Sequence, residues 1–391
     1  PVTMDEATIV NLVQQYIYER GYLSTLSALQ AESGQDFEPT NLEFGGKLCS
    51  MLNEYMDLKQ ATSASEGLDA SRQRLEEELL QFGDPCFPSI EIESFDNLHA
   101  GNIICARFNP EGSLMASGST DRSVKVTEVA SKKVLRTMDV MSAPVLSVDW
   151  NPVHRNLLLV TAMDGKSCVV DTTTGKALQV FADHQKFVTR GLWTPDGDGF
   201  VTSAHDKNVC IYIRDSAAAD GASEDAPPSF SLRRSLPMLA IVEAMAICQG
   251  TLIMGVRESN YLHYLDLSSL EVQKVNLNPL GDDHVSFTAM DISVSPDEKF
   301  VLVATDSSRL LLYPVGGSAQ LRAFYGAVND HLCQCRCAYD KSGRYCMATS
   351  QDNSVVVWEI ATQKPVARLK GHGGTVRDLH VNVDGTVATS S

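Results

Sequence analysis

The feature that most constrains the fold of this chain is a segment that recurs at intervals of about 43 residues. Each repeat has an apolar stretch, a turn rich in Pro, Asp and Gly, a second stretch, an Asp turn and a third stretch. The turn aspartates are Asp121, Asp164, Asp206, Asp306 and Asp352, at steps of 43, 42, 100 and 46 residues. Because such a period is typical of stacked supersecondary units, it predicts a mainly β domain of repeated sheets.

The repeats resemble the WD-repeat family, in segments such as 108–124, 193–209 and 339–359. The resemblance implies a β-propeller of four-stranded blades, and the count along the chain predicts seven of them. We expect the propeller over residues 88–391, with Glu258 replacing the turn Asp inside the 100-residue step. The expected blades are 99–140, 141–183, 184–238, 239–280, 281–327, 328–371 and, in part, 372–391.

The last expected blade is short, because 19 residues follow His372 and a blade needs about 40. Residues 376–391 supply two strands. The alternation of apolar and polar residues over Ile90–Phe95 predicts an outer strand that closes the ring. The sequence therefore predicts a fragment that stops inside its seventh blade.

In the WD-repeat family a His, a Ser or Thr, the turn Asp and a Trp form a hydrogen-bonded chain that satisfies buried polar groups and locks each blade. This role is implied here only by the resemblance. Thr127, Val170 and Tyr212 stand at the Trp position in three blades, Met141 replaces one His, and His331 is offset by one residue. The expected locking residues are His99, Ser119, Asp121, His184, Asp206, Ser350, Asp352, Trp358 and His372.

An acidic module precedes the repeats, since residues 1–83 hold 14 acidic and 5 basic residues. Apolar residues spaced i, i+3, i+4, i+7 and i+8 from Ile9 to Ile17 predict one helix, and Leu23, Leu26 and Leu29 predict a second. A hairpin this small does not bury both sides of its own apolar stripe. We therefore expect self-association into a four-helix bundle, or, as the alternative, packing on the chain's own propeller.

Residues 4–34 resemble the lissencephaly-homology (LisH) motif, with Gly21-Tyr22 at the turn. That motif is a dimerisation hairpin in its family, so the resemblance implies a homodimer. The residues expected at the dimer contact are Ile9, Leu12, Val13, Tyr16, Ile17, Leu26 and Leu29. Residues 41–84 predict a helical connector, where related proteins carry a CTLH segment or a coiled coil, and its run Glu76–Glu78 is expected on a solvated face.

The net charge of −17 disfavours binding to nucleic acid or to an anionic membrane surface. The sequence contains no apolar run of about 18 residues that would insert into a membrane. The ten cysteines lack the spacing of a small disulfide framework. Reduced thiols, and hence a cytoplasmic or alternatively a nuclear location, are the expectation. Cys333, Cys335 and Cys337 alternate along a predicted strand, which favours buried thiols over a zinc site.

No catalytic motif stands out, and His205-Asp206 lies at a repeat turn without a nucleophile motif beside it. We expect no enzymatic activity, cofactor or metal. By resemblance, one face of the propeller would bind proteins or peptides, and its basic residues suggest an acidic partner. The residues expected on that face are Ser147, Arg190, His205, Arg336, Gln351 and Asp378.

The order of modules resembles Lis1-like regulators of dynein and microtubule processes. It is also similar to the WD subunits of CTLH-type ubiquitin ligases and to LisH-containing transcriptional corepressors. The sequence thus predicts a non-catalytic dimeric scaffold, with these three kinds of partner left open. The alternative class of protein is an enzyme that uses the central channel of the propeller.

Overall fold

The computed structural model describes residues 6–19, 22–37, 69–82, 87–88, 94–95, 97–215, 228–278, 283–329 and 334–391. Within these residues the helices are α1 (Glu6–Glu19), α2 (Leu23–Ser33) and α3 (Asp69–Leu79). The rest of the expected connector, and all but two residues of the strand expected at Ile90–Phe95, lie outside the described residues.

Six antiparallel sheets follow, each with four strands paired in chain order. The first three contain β1 (Ile103–Phe108), β2 (Leu114–Ser119), β3 (Val124–Glu128), β4 (Val134–Met138), β5 (Val145–Trp150), β6 (Leu157–Ala162), β7 (Ser167–Asp171), β8 (Lys176–Phe181), β9 (Val188–Trp193), β10 (Gly199–Ala204), β11 (Asn208–Arg214) and β12 (Phe230–Pro237). The next three contain β13 (Val242–Cys248), β14 (Thr251–Val256), β15 (Tyr261–Asp266), β16 (Val272–Asn276), β17 (Ala289–Val294), β18 (Phe300–Thr305), β19 (Arg309–Pro314), β20 (Arg322–Tyr325), β21 (Cys337–Tyr339), β22 (Tyr345–Ser350), β23 (Ser354–Glu359) and β24 (Pro365–Lys370).

A two-stranded sheet, β25 (Asp378–Val381) and β26 (Val387–Ser390), completes the order. The first strands of successive sheets contact one another, and β25 contacts both β21 and β1. The Ile103 N–H also donates a hydrogen bond to the Ser391 carbonyl at 3.2 Å. The sheets therefore close into a ring with six complete blades, and the position of the expected seventh blade holds two strands.

The hydrophobic core lies between neighbouring sheets, because the middle strands of each blade are buried on both faces. Strand β6 is buried along its whole length, as are β10, β18 and β22. The first two sheets approach closely at Gly118, since a Cβ there would meet Val145 Cγ1 at 2.5 Å. This inter-sheet packing holds the inner strands rigidly around the axis of the ring.

Helices α1 and α2 pack against each other, and each buries one leucine, Leu12 in α1 and Leu26 in α2. Of the other expected dimer residues, Ile9 is 46% exposed, and Val13, Tyr16, Ile17 and Leu29 are half-buried. Helix α2 ends at the C-cap Gly34, whose N–H donates to the Gln30 carbonyl and whose left-handed backbone turns the chain out of the helix. The expected stripe is thus divided between residues that hold the hairpin together and residues that remain accessible.

Helix α3 lies against the fifth and sixth blades, so the expectation that Glu76–Glu78 faces solvent is wrong for Glu76. The Arg322 guanidinium donates to both carboxylate oxygens of Glu76 at 3.0 and 2.9 Å, and Lys299 Nζ lies 3.1 Å from Glu78. Leu79 is buried in the same hydrophobic cluster as Leu321. Arg322 holds Glu76 against the propeller, Glu78 stays 44% exposed beside Lys299, and Glu77 is exposed without a partner among the described residues.

Candidate functional site

The turns that carry the repeat aspartates lie at one end of the ring, together with the segments that join each blade to the next. This end is called the turn face below. The pairing of β2 with β3 and of β22 with β23 brings Asp121 and Asp352 to it, and Glu258 occupies the equivalent turn between β14 and β15.

In the first blade His99 links the turn Asp to the second strand. His99 Nδ1 lies 3.1 Å from Asp121 Oδ2, and His99 Nε2 lies 2.8 Å from Ser117 Oγ. Burial lowers the pKa of His99 despite the nearby carboxylate, so the ring is neutral at pH 7. Nδ1–H then donates to Asp121, and Nε2 accepts from the Ser117 hydroxyl. The expected Ser119 instead accepts from the Asp121 N–H at 3.1 Å.

The third blade repeats this geometry. His184 Nδ1 lies 3.1 Å from Asp206 Oδ2, and His184 Nε2 lies 2.8 Å from Thr202 Oγ1. Burial opposes ionisation of Asp206, but the N–H groups of Gln185 and Asn208 hold its pKa below the usual value. The hydroxyl partner is therefore four residues before the turn Asp in both blades, at Ser117 and Thr202, which the sequence analysis missed.

The sixth blade keeps a partial lock. Trp358 is fully buried, and its Nε1–H donates to the Tyr325 carbonyl at 2.7 Å. Asp352 accepts from Ser354 Oγ at 2.5 Å, and Ser350 Oγ accepts from the Val328 N–H at 2.9 Å. His331 lies outside the described residues.

The second blade replaces the missing His with another contact, and the two-stranded sheet keeps its His. In the second blade the Ser142 hydroxyl bonds Asp164 at 2.6 Å, while Met141 packs on Cys168. In the two-stranded sheet His372 Nε2 lies 2.6 Å from Thr389 Oγ1. The expected His thus forms side-chain hydrogen bonds in three blades, and other side chains hold the turn elsewhere.

Three residues expected on the partner face, Arg190, Arg336 and Asp378, lie inside the ring. All three are at least nine-tenths buried, at 6%, 8% and 2% exposed. Arg190 forms a close ion pair with Asp291, a residue that the sequence analysis did not single out. Arg336 lies 3.7 Å from Asp291 and 3.7 Å from Asp378.

The chain of charges continues to Arg107, which forms a close ion pair with Asp378. Burial alone would raise the pKa of Asp378, but Arg107 and Arg336 lower it. Burial and the nearby Arg336 lower the pKa of Arg190 to about 10, which leaves it charged at pH 7. We call Arg107, Arg190, Asp291, Arg336 and Asp378 the ionic ring. Its three arginines share two aspartates, so most of its positive charge is paired inside the protein.

A cavity of about 950 Å³ opens on the turn face above the ionic ring. Three of the expected face residues, His205, Arg336 and Gln351, line it, whereas buried Ser147 does not. The His205 ring lies against the Phe187 ring, with centroids 4.2 Å apart and planes tilted by 35°, and burial lowers the pKa of His205 so that it is neutral at pH 7. The remaining lining residues combine apolar and charged groups, among them Ile104, Val285, Phe287, Arg257, Glu258, Asp306 and Arg377.

The rim of this cavity carries the accessible charge. Arg257 Nε donates to buried Glu243 at 2.6 Å, and its side chain is 44% exposed. Arg377 is exposed, with no side-chain partner among the described residues. The arrangement suits the insertion of a side chain or peptide segment from a protein partner.

The seven cysteines that the structure describes are buried, as expected of thiols that behave as core residues, whereas Cys333 lies outside the described residues. Cys335, Cys337 and Cys346 lie in the hydrophobic cluster between the fifth and sixth blades. Burial raises the pKa of Cys337 and of Cys346 well above the usual value, so both are protonated. Within the described part of the chain, no three His, Cys, Asp or Glu residues are grouped as a metal site would need.

Known proteins support the same class. The family model for the WD domain, G-beta repeat, matches residues 93–127 and 175–212. The "Probable cytosolic iron-sulfur protein assembly protein 1" of Candida glabrata is 30% identical over 137 residues, which is 32% of this chain and 40% of that protein. "Protein tipD" of Dictyostelium discoideum is 21% identical over 284 residues, 71% of this chain and 43% of that protein.

A third relative, the "WD repeat-containing protein WDS homolog" of Arabidopsis thaliana, is 22% identical over 293 residues, 73% of this chain and 52% of that protein. The chain thus spans about half, or less, of the length of these relatives. Ring closure, turn chemistry and matched repeats define a mainly β propeller. The chain is a WD-repeat protein. None of the helices in its described portion has the length and apolar character needed to cross a membrane.

Proposed function

We propose that this protein is a non-catalytic dimeric scaffold whose turn face binds protein partners. The observation that carries the proposal is the cavity of about 950 Å³ at the centre of that face. Its lining combines apolar side chains with charged ones and includes one member of the ionic ring, Arg336. A site of this kind holds a protein segment by shape and rim charge.

The ionic ring changes the expectation of a strongly acidic partner. Arg190 and Arg336 share Asp291, and Arg336 and Arg107 share Asp378. Most of their charge is therefore paired inside the protein, and we assign the selection of a charged partner to the rim. We propose that Arg257 and Arg377 contact carboxylates of the partner while the apolar lining accepts a neighbouring side chain.

Self-association through the hairpin is the second part of the proposal. Exposed apolar residues remain on the folded hairpin, with Ile9 at 46%, Tyr22 at 58% and Leu23 at 59%. A second hairpin that covers them would bury the accessible part of the stripe. Two linked propellers would then bind a bivalent partner more tightly than one propeller.

Within this class, a Lis1-like role in dynein and microtubule processes is the first candidate, supported by the order of hairpin and propeller. A scaffold or substrate receptor in a CTLH-type ubiquitin ligase and a LisH-WD corepressor are the alternatives. A cytoplasmic location accords with the first two, and a nuclear one with the third.

The test is affinity purification of the full chain, with co-purifying proteins identified by mass spectrometry. Arg377→Glu should remove the specific partners, because it reverses an exposed charge at the cavity rim. Lys364→Glu is the matched control, since Lys364 is exposed in the β23–β24 turn at the opposite end of the ring. If both variants retain the same partners as the wild type, the turn face is not the binding site. Dynein, ligase and corepressor subunits are distinct enough to decide among the three candidates.

A further inference from the structure

Helix α3 occupies a groove at the end of the ring opposite the turn face. Lys299 lies in the β17–β18 turn and Arg322 begins β20, both at the end of the fifth blade away from Asp306. Leu79 is 4% exposed and Leu75 and Phe82 are packed against the cluster between the fifth and sixth blades. The groove therefore has an apolar floor and a cationic edge.

The contacts follow the amphipathic pattern of α3. Leu75 and Leu79 are four residues apart and share one side of the helix. Glu76 makes the two-pronged contact with Arg322, whose side chain is 10% exposed. The contact of Glu78 with Lys299 is nearly half exposed on both sides and contributes less. The groove thus recognises two leucines one turn apart with glutamates beside them.

The sequence of α3 is poorly suited to a free helix. It has 11 residues and no basic residue in its last turn, where three glutamates stand instead. Acidic residues at a helix C-terminus oppose the helix dipole, and helices shorter than about 12 residues are marginal in water. Helix formation here is therefore coupled to docking, because Arg322 and Lys299 supply the positive charge that the helix terminus lacks.

We propose that this groove is a second, exchangeable binding site for acidic amphipathic helices of partner proteins, with α3 as its resident occupant. Coupled folding and docking makes α3 one of the less stable parts of the structure, so it leaves the groove without unfolding of the blades. The exposed groove then binds a helix with the same pattern of leucine and glutamate. This site is independent of the turn face and of self-association.

The test uses a fluorescent peptide of residues 69–82 and the full chain in two forms. In the first form the resident helix is released by Leu75→Asp with Leu79→Asp, which removes its apolar contacts, and in the second the chain is wild type. The peptide should bind the released form at least about tenfold more tightly than the wild type, because resident α3 competes for the groove. Equal binding to both forms, or no saturable binding to the released form, would overturn the proposal.

Charge reversal locates the binding. Arg322→Glu in the released form should weaken the peptide by about tenfold or more, and a peptide carrying Glu76→Arg should recover binding to that variant. A peptide carrying Glu77→Arg is the matched control. Because Glu77 is exposed, this peptide should bind like the unmodified peptide. Circular dichroism and thermal unfolding verify that each variant keeps the propeller folded. Failure of the rescue in a folded variant would remove the groove as the site, whereas loss of partners at Arg377→Glu tests the turn face separately.

Discussion

Removing the charge of Asp291 should destabilise the propeller more than any exposed substitution in the same sheet. Asp291 is 5% exposed, and it is the carboxylate that pairs with both Arg190 and Arg336. Its other oxygen accepts the Cys337 N–H at 2.9 Å, a bond that an asparagine oxygen retains. Asp291→Asn therefore leaves two buried guanidinium groups without this counter-charge, although Arg336 keeps Asp378 at 3.7 Å.

Breaking a buried ion pair from one side costs about 3–5 kcal/mol, because the remaining charge stays buried and uncompensated. We expect Asp291→Asn to lower the free energy of unfolding by that amount. Asp297→Asn, an exposed change in the turn that follows the same strand, should cost less than about 1 kcal/mol. Adding Arg190→Met to Asp291→Asn removes the stranded charge, so the double variant should lose about 1–3 kcal/mol less than the two single losses together.

The assay is urea unfolding followed by intrinsic fluorescence. The three tryptophans are Trp150 in the second blade, Trp193 in the third and Trp358 in the sixth. They therefore report on both blades whose arginines pair with Asp291. Additive losses in the double variant, or an Asp291→Asn midpoint equal to that of Asp297→Asn, would refute the reasoning that the ionic ring holds the inner strands together.

Two further predictions concern association and pH. Ile9→Asp should convert the proposed dimer to a monomer by light scattering, whereas Asn11→Asp, which adds the same charge at another exposed position of α1, should leave the mass unchanged; equal masses for both variants would contradict the proposed dimer contact. Burial raises the pKa of Asp149 to about 6 against the opposing effect of the Trp193 N–H, so the folded state binds a proton that the unfolded state loses near pH 4, and stability falls as pH rises from 4 to 6. Asp149→Asn removes this titration, so the free energy of unfolding of the variant should rise by about 3 kcal/mol relative to that of the wild type between pH 4 and pH 7. A difference between the two proteins that stays constant across this pH range would contradict the prediction.

The blades could be predicted from sequence because their turn signals are local. Five aspartates at nearly regular steps mark the second turn of five blades, and Glu258 falls in the equivalent turn of the degenerate one. The choice of Ser119 over Ser117 shows where local reasoning fails. Both hydroxyls lie on the same side of β2, and the position of His99 relative to the strand decides which one it reaches. Comparison with Thr202 in the third blade would have found the correct spacing.

The ionic ring could not be predicted, since its members are joined only when the chain closes. Arg190 and Asp291 are 101 residues apart, and Arg107 and Asp378 are 271 residues apart. The residues beside each member of the ionic ring in the sequence are ordinary strand residues. From the sequence alone, these charged side chains could therefore equally face a partner. The docking of α3 was missed for a related reason, because a run of three glutamates predicts solvent exposure unless a cation elsewhere in the chain is brought to it. The signal that was available was the unfavourable placement of those acids at the end of their own helix.

The separation of the ionic ring from the cavity rim has a consequence for how variants are interpreted. Arg336 lines the cavity and also belongs to the ring, so its substitution alters the binding surface and removes a buried charge partner together. Arg377 lines the same cavity but is exposed and takes no part in the ring. If Arg377→Glu abolishes partner binding and leaves the stability unchanged, the lost binding therefore reports on recognition. Arg336→Glu is expected to lower both partner binding and the amount of folded protein. Only the part of its binding loss that exceeds the loss of folded protein reports on recognition. Because the two arginines differ in this respect, their comparison separates what the ring contributes to the fold from what the rim contributes to binding.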